Sequence, residues 1–266
     1  MDVLRRRIIS GVIYGSVTLM VVYVGGVLFG AAVLAVAILA GREYQRMVSR
    51  GGYRPLYPLQ FGLTAFFVAG AAFLTPELIL EGLALALVAS LAWQLGSREH
   101  GGRPFLDWAL SLGGALYVGL LSSQFVALRN LPGGLGWTLL VLFPTWICDS
   151  FAYLFGRVWG KHPFFEWISP KKTWEGAVAG WIGGTGTALV IGHMLGLSVP
   201  LALALGVAIS VAATFGDLVE SMIKRQVGVK DSGSLLPGHG GILDRIDSLL
   251  FVGVVVRCFV SGVIGT

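Results

Sequence analysis

VPLALALGVAISVAATFGDLVESMIKRQVGVKDSGSLLPGHGGILDRIDSLLFVGVVVRCFV, from Val199 to Val260, is two apolar runs separated by a charged stretch rich in Gly and Pro. Each flank, 199–219 and 243–263, is long enough to cross a hydrocarbon core of roughly 30 Å as a helix. Apart from Arg257, charge in this segment is confined to Asp217 through Asp247, between the two runs. A chain built this way places its polar chemistry at the rim of a membrane.

The same alternation recurs upstream. Apolar runs at 8–24, 27–40, 57–74, 78–95, 105–128, 135–155 and 176–195 join 199–219 and 243–263, so the sequence predicts an all-α polytopic membrane protein of about nine transmembrane helices. Composition agrees: 55% of the 266 residues are hydrophobic and 12% charged, against roughly a quarter charged in soluble domains. We expect one membrane-embedded domain over 1–266 and no soluble one. The second run is short and reads on as an amphipathic helix through Arg42, Arg46 and Arg50, which recur every four residues on one face. Arg5, Arg6 and Arg7 before an apolar run imitate a signal peptide, but no small-residue cleavage site follows, so a retained first span is expected.

Charge sets the expected orientation, because Lys and Arg in short loops mark the cytoplasmic side. With the N-terminus inside, sixteen of the nineteen Lys and Arg fall in cytoplasmic segments, Arg129 alone lies in an external loop, and Arg245 and Arg257 lie within the last span. The net charge of +5 then calls for no nucleic acid; anionic membrane lipid is partner enough. Glycine spacing at Gly11/Gly15, Gly26/Gly30 and Gly176/Gly180 suits helix packing, within the chain first and between subunits of a homodimer second. Cys148 and Cys258 read as small core residues, since neither has a partner at disulfide or thiolate-metal spacing.

In the central stretch, Asp217, Glu220 or Ser221, and Lys224 fall on one helical stripe, while Asp244 and Asp247 stand at i and i+3 at the mouth of the last span. Carboxylates at the edge of hydrocarbon are costly and point to function. Without thiolates or a histidine pair, they suit a hard divalent cation such as Mg2+, which bridges to substrate phosphates. Lys224, Arg225 and Lys230 supply cations for those phosphates, and the PGHGG segment, Pro237 to Gly241, a backbone able to approach one closely, with His239 as a donor or acid.

Two further clusters point the same way. SPKKTWEG, Ser169 to Gly176, reads as a helix start with Ser169 as cap and Pro170 in the first turn. Lys171 and Lys172 would there oppose the macrodipole unless an anion binds. Upstream, Trp146, Asp149 or Ser150, Tyr153 and Arg157 share a face, with Asp149 expected to point at the same site as Asp217 and Asp244.

Ser221, Lys224, Arg225, Lys230, Asp231, Gly233, Leu236, Pro237, His239, Gly240, Gly241, Asp244, Arg245 and Asp247 together resemble the signature of the phosphatidate cytidylyltransferase (CDP-diacylglycerol synthase) family, and the FGD at Phe215–Asp217, SPKKTWEG and the CDSFAY around Asp149 extend the likeness over the C-terminal half. The resemblance implies N-terminal helices over 1–130 and catalytic helices over 135–266. It implies an enzyme of the inner (cytoplasmic) membrane that joins CTP to phosphatidic acid, with its N-terminus and site cytoplasmic. Asp217, Asp244 and Asp247 would hold Mg2+, with a possible second metal ion, and act in catalysis with Lys224 and Arg225. Lys171, Lys172, Ser221, Lys230, Asp231, His239, Gly240, Gly241, Arg245 and Asp149 would bind substrate. A polyprenol or phytol kinase or a CDP-ether-lipid synthase would share this charge logic. An ion-coupled transporter would place polar residues on both sides of the midplane, and here they are one-sided.

Overall fold

A computed structural model of the chain describes residues 2–96, 103–233 and 240–264. Helices stand at all nine expected positions among the described residues: α1 (Asp2–Val24), α2 (Gly26–Arg50), α3 (Tyr57–Phe73), α4 (Pro76–Gly96), α5 (Pro104–Gly114) continued by a π segment into α6 (Leu121–Arg129), α7 (Gly134–Trp159), α8 (Trp174–Met194), α9 (Val199–Gln226) and α10 (Leu243–Phe259). The described residues hold no strand; an isolated bridge pairs Pro163 with Thr173. Among the described residues, six helical rods are long and apolar enough to cross a membrane by length and composition, including α2, α7, α9 and α10. The protein is a multi-pass membrane protein.

The chain divides into two compact units, Met1–Asn130 with Gln226–Asp244, and Leu131–Arg225 with Arg245–Thr266. In the first, α2 runs unbroken to Arg50 as its periodicity predicted, with Arg42, Arg46 and Arg50 exposed and Glu43, Tyr44, Gln45, Met47 and Val48 buried. Phe67, Leu63 and Ala115 form an apolar core between α3 and the π segment. Arg129, the lone basic residue of the expected external loops, donates from Nε to the Val22 carbonyl at 2.9 Å and from Nη2 to that of Tyr23 at 3.2 Å. It thus caps the open C-terminal carbonyls of α1.

In the second unit α7 and α8 pack along each other, because Gly176 and Gly180 leave room for the α7 backbone: a Cβ on Gly176 would lie 2.7 Å from the Ala152 carbonyl oxygen, and one on Gly180 2.8 Å from that of Cys148. Among the described residues, no atom lies within 4 Å of a Cβ built on Gly11, Gly15, Gly26 or Gly30. The intrachain packing expected of all three glycine pairs therefore holds only for the third. Cys148 is buried as expected, whereas Cys258 is exposed on α10.

One local correction affects the site. α8 begins four residues later than Pro170 suggested, with Thr173 as its cap accepting from the Gly176 N–H at 3.3 Å. The backbone pairs Phe164 N–H to Lys172 O (2.8 Å) and Trp174 N–H to His162 O (2.9 Å) close a looped segment on itself and leave Thr173 extended. Ser169 instead closes a turn, its carbonyl accepting from the Lys172 N–H at 3.1 Å. Lys171 and Lys172 precede the helix rather than opposing its dipole from within.

Candidate active site

The second unit contains a cavity of about 690 Å3, lined by Asp149, Tyr153 and Arg157 from α7, Lys171 and Lys172 from the loop before α8, and Asp217 from α9. That size lies in the range of small-molecule sites. Three of these residues come from the α7 face that the sequence grouped, and two are the lysines of SPKKTWEG. Asp149 and Asp217 both line this cavity with that lysine pair, whereas Asp244, expected beside them, belongs to the first unit.

Its electrostatics are mixed. Lys172 Nζ lies 2.7 Å from Asp217 Oδ2, and Ser221 Oγ donates to Asp217 Oδ1 at 3.4 Å. Arg157 donates from Nη1 to the Tyr153 hydroxyl at 3.3 Å, placing a guanidinium at the cavity wall. The pattern is built by a close crossing of α9 and α10: a Cβ on Gly216 would stand 2.6 Å from the Asp247 carbonyl oxygen and 2.8 Å from Ser248 Cα. Glycine there lets the two backbones touch, so the Asp beside it, Asp217, comes into electrostatic range of Asp247. Asp149 and Glu220 also act on Asp247, a buried carboxyl whose Oδ1 accepts from the Ser248 N–H at 2.7 Å.

Two of these four carboxylates are already matched by lysine, Asp217 by Lys172 and Glu220 by Lys224. No three carboxylate, histidine or thiolate groups converge into a ready-made metal cage among the described residues. Mg2+ keeps waters and takes one or two carboxylates together with substrate phosphates; Asp217 and Asp247 are oxygen donors of that kind.

Other expected residues have structural partners. Lys224 pairs with Glu220, buried one turn earlier on α9, and Arg225 donates from Nε to the Ile168 carbonyl at 3.2 Å. Lys230, Asp231 and Arg245 are exposed, and His239 lies outside the described residues. The loop ahead of α8 is held by Glu175, whose Oε2 accepts from the N–H groups of Lys161 (3.1 Å) and His162 (3.2 Å) while its other oxygen meets the His162 ring. Its own backbone N–H and these donors hold the Glu175 carboxyl down at about 2. Its contribution is therefore complete above an unfolded glutamate's value of roughly 4.3 and is lost only as pH falls through the folded value.

In the first unit Asp244 is bound up with the turn before α10. Its Oδ2 accepts from the Ser232 hydroxyl (2.8 Å), the Gly241 N–H (2.8 Å) and the Ser232 N–H (3.3 Å). Beside it sits a residue the sequence did not single out, Glu43 of α2, fully buried, whose Oε2 accepts from the Leu243 N–H at 2.9 Å and the Ser232 hydroxyl at 3.3 Å. No signal in the sequence marks it: at 3.6 residues per turn Glu43 stands beside the arginine stripe of α2 and reads as one more surface charge.

These features match known proteins. The cytidylyltransferase family matches over residues 5–263. A chloroplastic phosphatidate cytidylyltransferase of Arabidopsis thaliana is 33% identical, covering 97% of this chain and 73% of its own length. One from Brucella abortus is 31% identical over 97% of this chain and 94% of its own, and one from Mycobacterium bovis 32% over 93% and 85%. With matches spanning nearly its whole length, the chain belongs to the cytidylyltransferase family.

Proposed function

We propose that this protein is a phosphatidate cytidylyltransferase, joining CTP to phosphatidic acid to give CDP-diacylglycerol and pyrophosphate. The observation that carries the reading is the Lys172–Asp217 pair in a cavity that also holds Lys171, Arg157 and Asp149. Two anionic reactants must meet there, so neutralisation and in-line positioning are the main demands on the protein. The phosphatidate oxygen is already ionised and needs no protein nucleophile. It forms a bond to the α-phosphorus of CTP as the bond from that phosphorus to the bridging oxygen breaks, and pyrophosphate leaves with that electron pair.

Lys171, Lys172 and Arg157 would bind the phosphates and offset their charge, while Asp149 and Asp217 supply carboxylates in the same cavity. Asp217 and Asp247 are the oxygen donors that would hold Mg2+, and Asp244 joins that proposal on sequence spacing, as does a second ion. When bound, Mg2+ would neutralise the phosphates and favour departure of pyrophosphate. Lys224, Arg225, Ser221, Lys230, Asp231, His239, Gly240, Gly241 and Arg245 are proposed as further catalytic or substrate-binding groups on their spacing. The distribution of Lys and Arg supports nine spans in the inner membrane with the N-terminus and site cytoplasmic. The uncovered faces at Gly11, Gly15 and Gly30 suit a homodimer.

The test is to incubate the purified protein with CTP, phosphatidic acid and Mg2+ and analyse lipids by mass spectrometry. A CDP-lipid is expected in step with pyrophosphate. Folded protein that yields none would refute the assignment.

A further inference from the structure

We infer that Glu43, in the second helix, is a positioning residue for the reaction, holding the turn that presents Asp244. The inference rests on the reading that Asp244 serves cytidylyl transfer, and it adds a residue nearly two hundred positions away in sequence.

The geometry is specific. Glu43 is fully buried, and one of its oxygens receives the Leu243 N–H, the first of α10, at 2.9 Å. The same oxygen lies 3.3 Å from the Ser232 hydroxyl, which is itself 2.8 Å from Asp244 Oδ2. The Ser232 hydroxyl has one proton to donate and lies within reach of both carboxyl groups, nearer to Asp244, so it sits between them and ties their placement together. Gly233 and Gly241 complete the arrangement: a Cβ at either position would collide with the Glu43 carboxylate, and at Gly241 with Ser232 Oγ as well. Gly233 and Gly241 thus leave space that Glu43 fills.

Stability alone gives a poor account of this acid. Its second oxygen, Oε1, is buried without a hydrogen-bond partner among the described residues, and an unmatched buried carboxylate oxygen is costly. A buried charge of this kind is often matched or bettered in stability by an apolar residue of similar volume. What the carboxylate adds is directional: an acceptor at the start of α10 and a second anchor for the serine that orients Asp244. Glu43 contacts the turn and not the reacting groups, so it acts through Ser232 and Leu243.

Glu43→Gln keeps size and removes the charge, and Ser232→Ala removes the bridge with little change in volume. Each is measured in the full-length protein alongside Asp244→Asn, with activity normalised to folded protein. The expected result is a kcat lower by about 10- to 100-fold, the scale of a catalytic group displaced by about 1 Å, with KM for CTP and for phosphatidic acid within about twofold. Amide exchange at Ser232, Gly241 and Leu243 should speed up in Glu43→Gln while exchange in α7 and α8 stays unchanged. Adding Glu43→Gln to Asp244→Asn should cost nothing further. If Asp244→Asn is inactive but Glu43→Gln and Ser232→Ala turn over normally, the inference about Glu43 fails alone. If Asp244→Asn is active, the reading of Asp244 fails and takes the inference with it. Should Glu43→Gln not fold, the kcat and KM of Ser232→Ala decide the question.

Discussion

Lys172 holds the position on which the proposed chemistry turns, since it meets Asp217 at 2.7 Å from a loop that also carries Lys171. Replacing it by Met leaves the aliphatic stem and removes the cation. Steady-state assays should then show kcat/KM down by on the order of 100-fold, the scale of losing one preorganised charge donor, with the melting temperature in detergent nearly unchanged. A variant at full activity would place phosphate binding elsewhere. These residues were legible in the sequence because charge near hydrocarbon is costly and so conspicuous. Glu43 was not, because its partners Ser232 and Leu243 lie 189 and 200 positions away. Between Arg42 and Arg46 on a single helix it looks like an ordinary surface acid, and only the packed turn shows it facing inward.

Helix positions were readable for a simple reason: a span needs about twenty apolar residues whatever its partners are. Helix ends and crossings depend on contacts remote in sequence, and there the reading was coarser. The cap of α8 moved to Thr173 because pairing with His162 and Phe164 ties the preceding turns into a closed loop and holds Thr173 extended. The interruption of the rod at Ala115–Leu120 by a π segment had no visible cue in Pro104–Arg129. Thr173→Ala should cost about 1 kcal/mol as the loss of an N-cap, measured by chemical or thermal unfolding in detergent. Gly216→Ala pushes a methyl group into the α10 backbone and should cost about 1–3 kcal/mol as overpacking. It should also lower turnover by moving Asp217 away from Asp247; a neutral outcome would show that the α9–α10 crossing is not tight.

At the scale of the whole molecule, charge asymmetry supports the orientation: the Arg42 to Arg54 segment and the Lys224 to Lys230 segment should face the cytoplasm, and the loop at Asn130 the outside. Single cysteines at Ser49 and Asn130, in a background without Cys148 and Cys258, should be labelled by an impermeant maleimide from opposite sides; labelling from one side would overturn the topology. The family match covers residues 5–263, so both compact units belong to what the relatives share. The most direct test of the central claim follows the phosphorus atoms of CTP. Supplied with phosphatidic acid and Mg2+, the purified protein should transfer label from the α-phosphate into lipid and release label from the γ-phosphate as pyrophosphate. Transfer of the γ-label to lipid, with CDP set free, would mark a kinase and contradict the account.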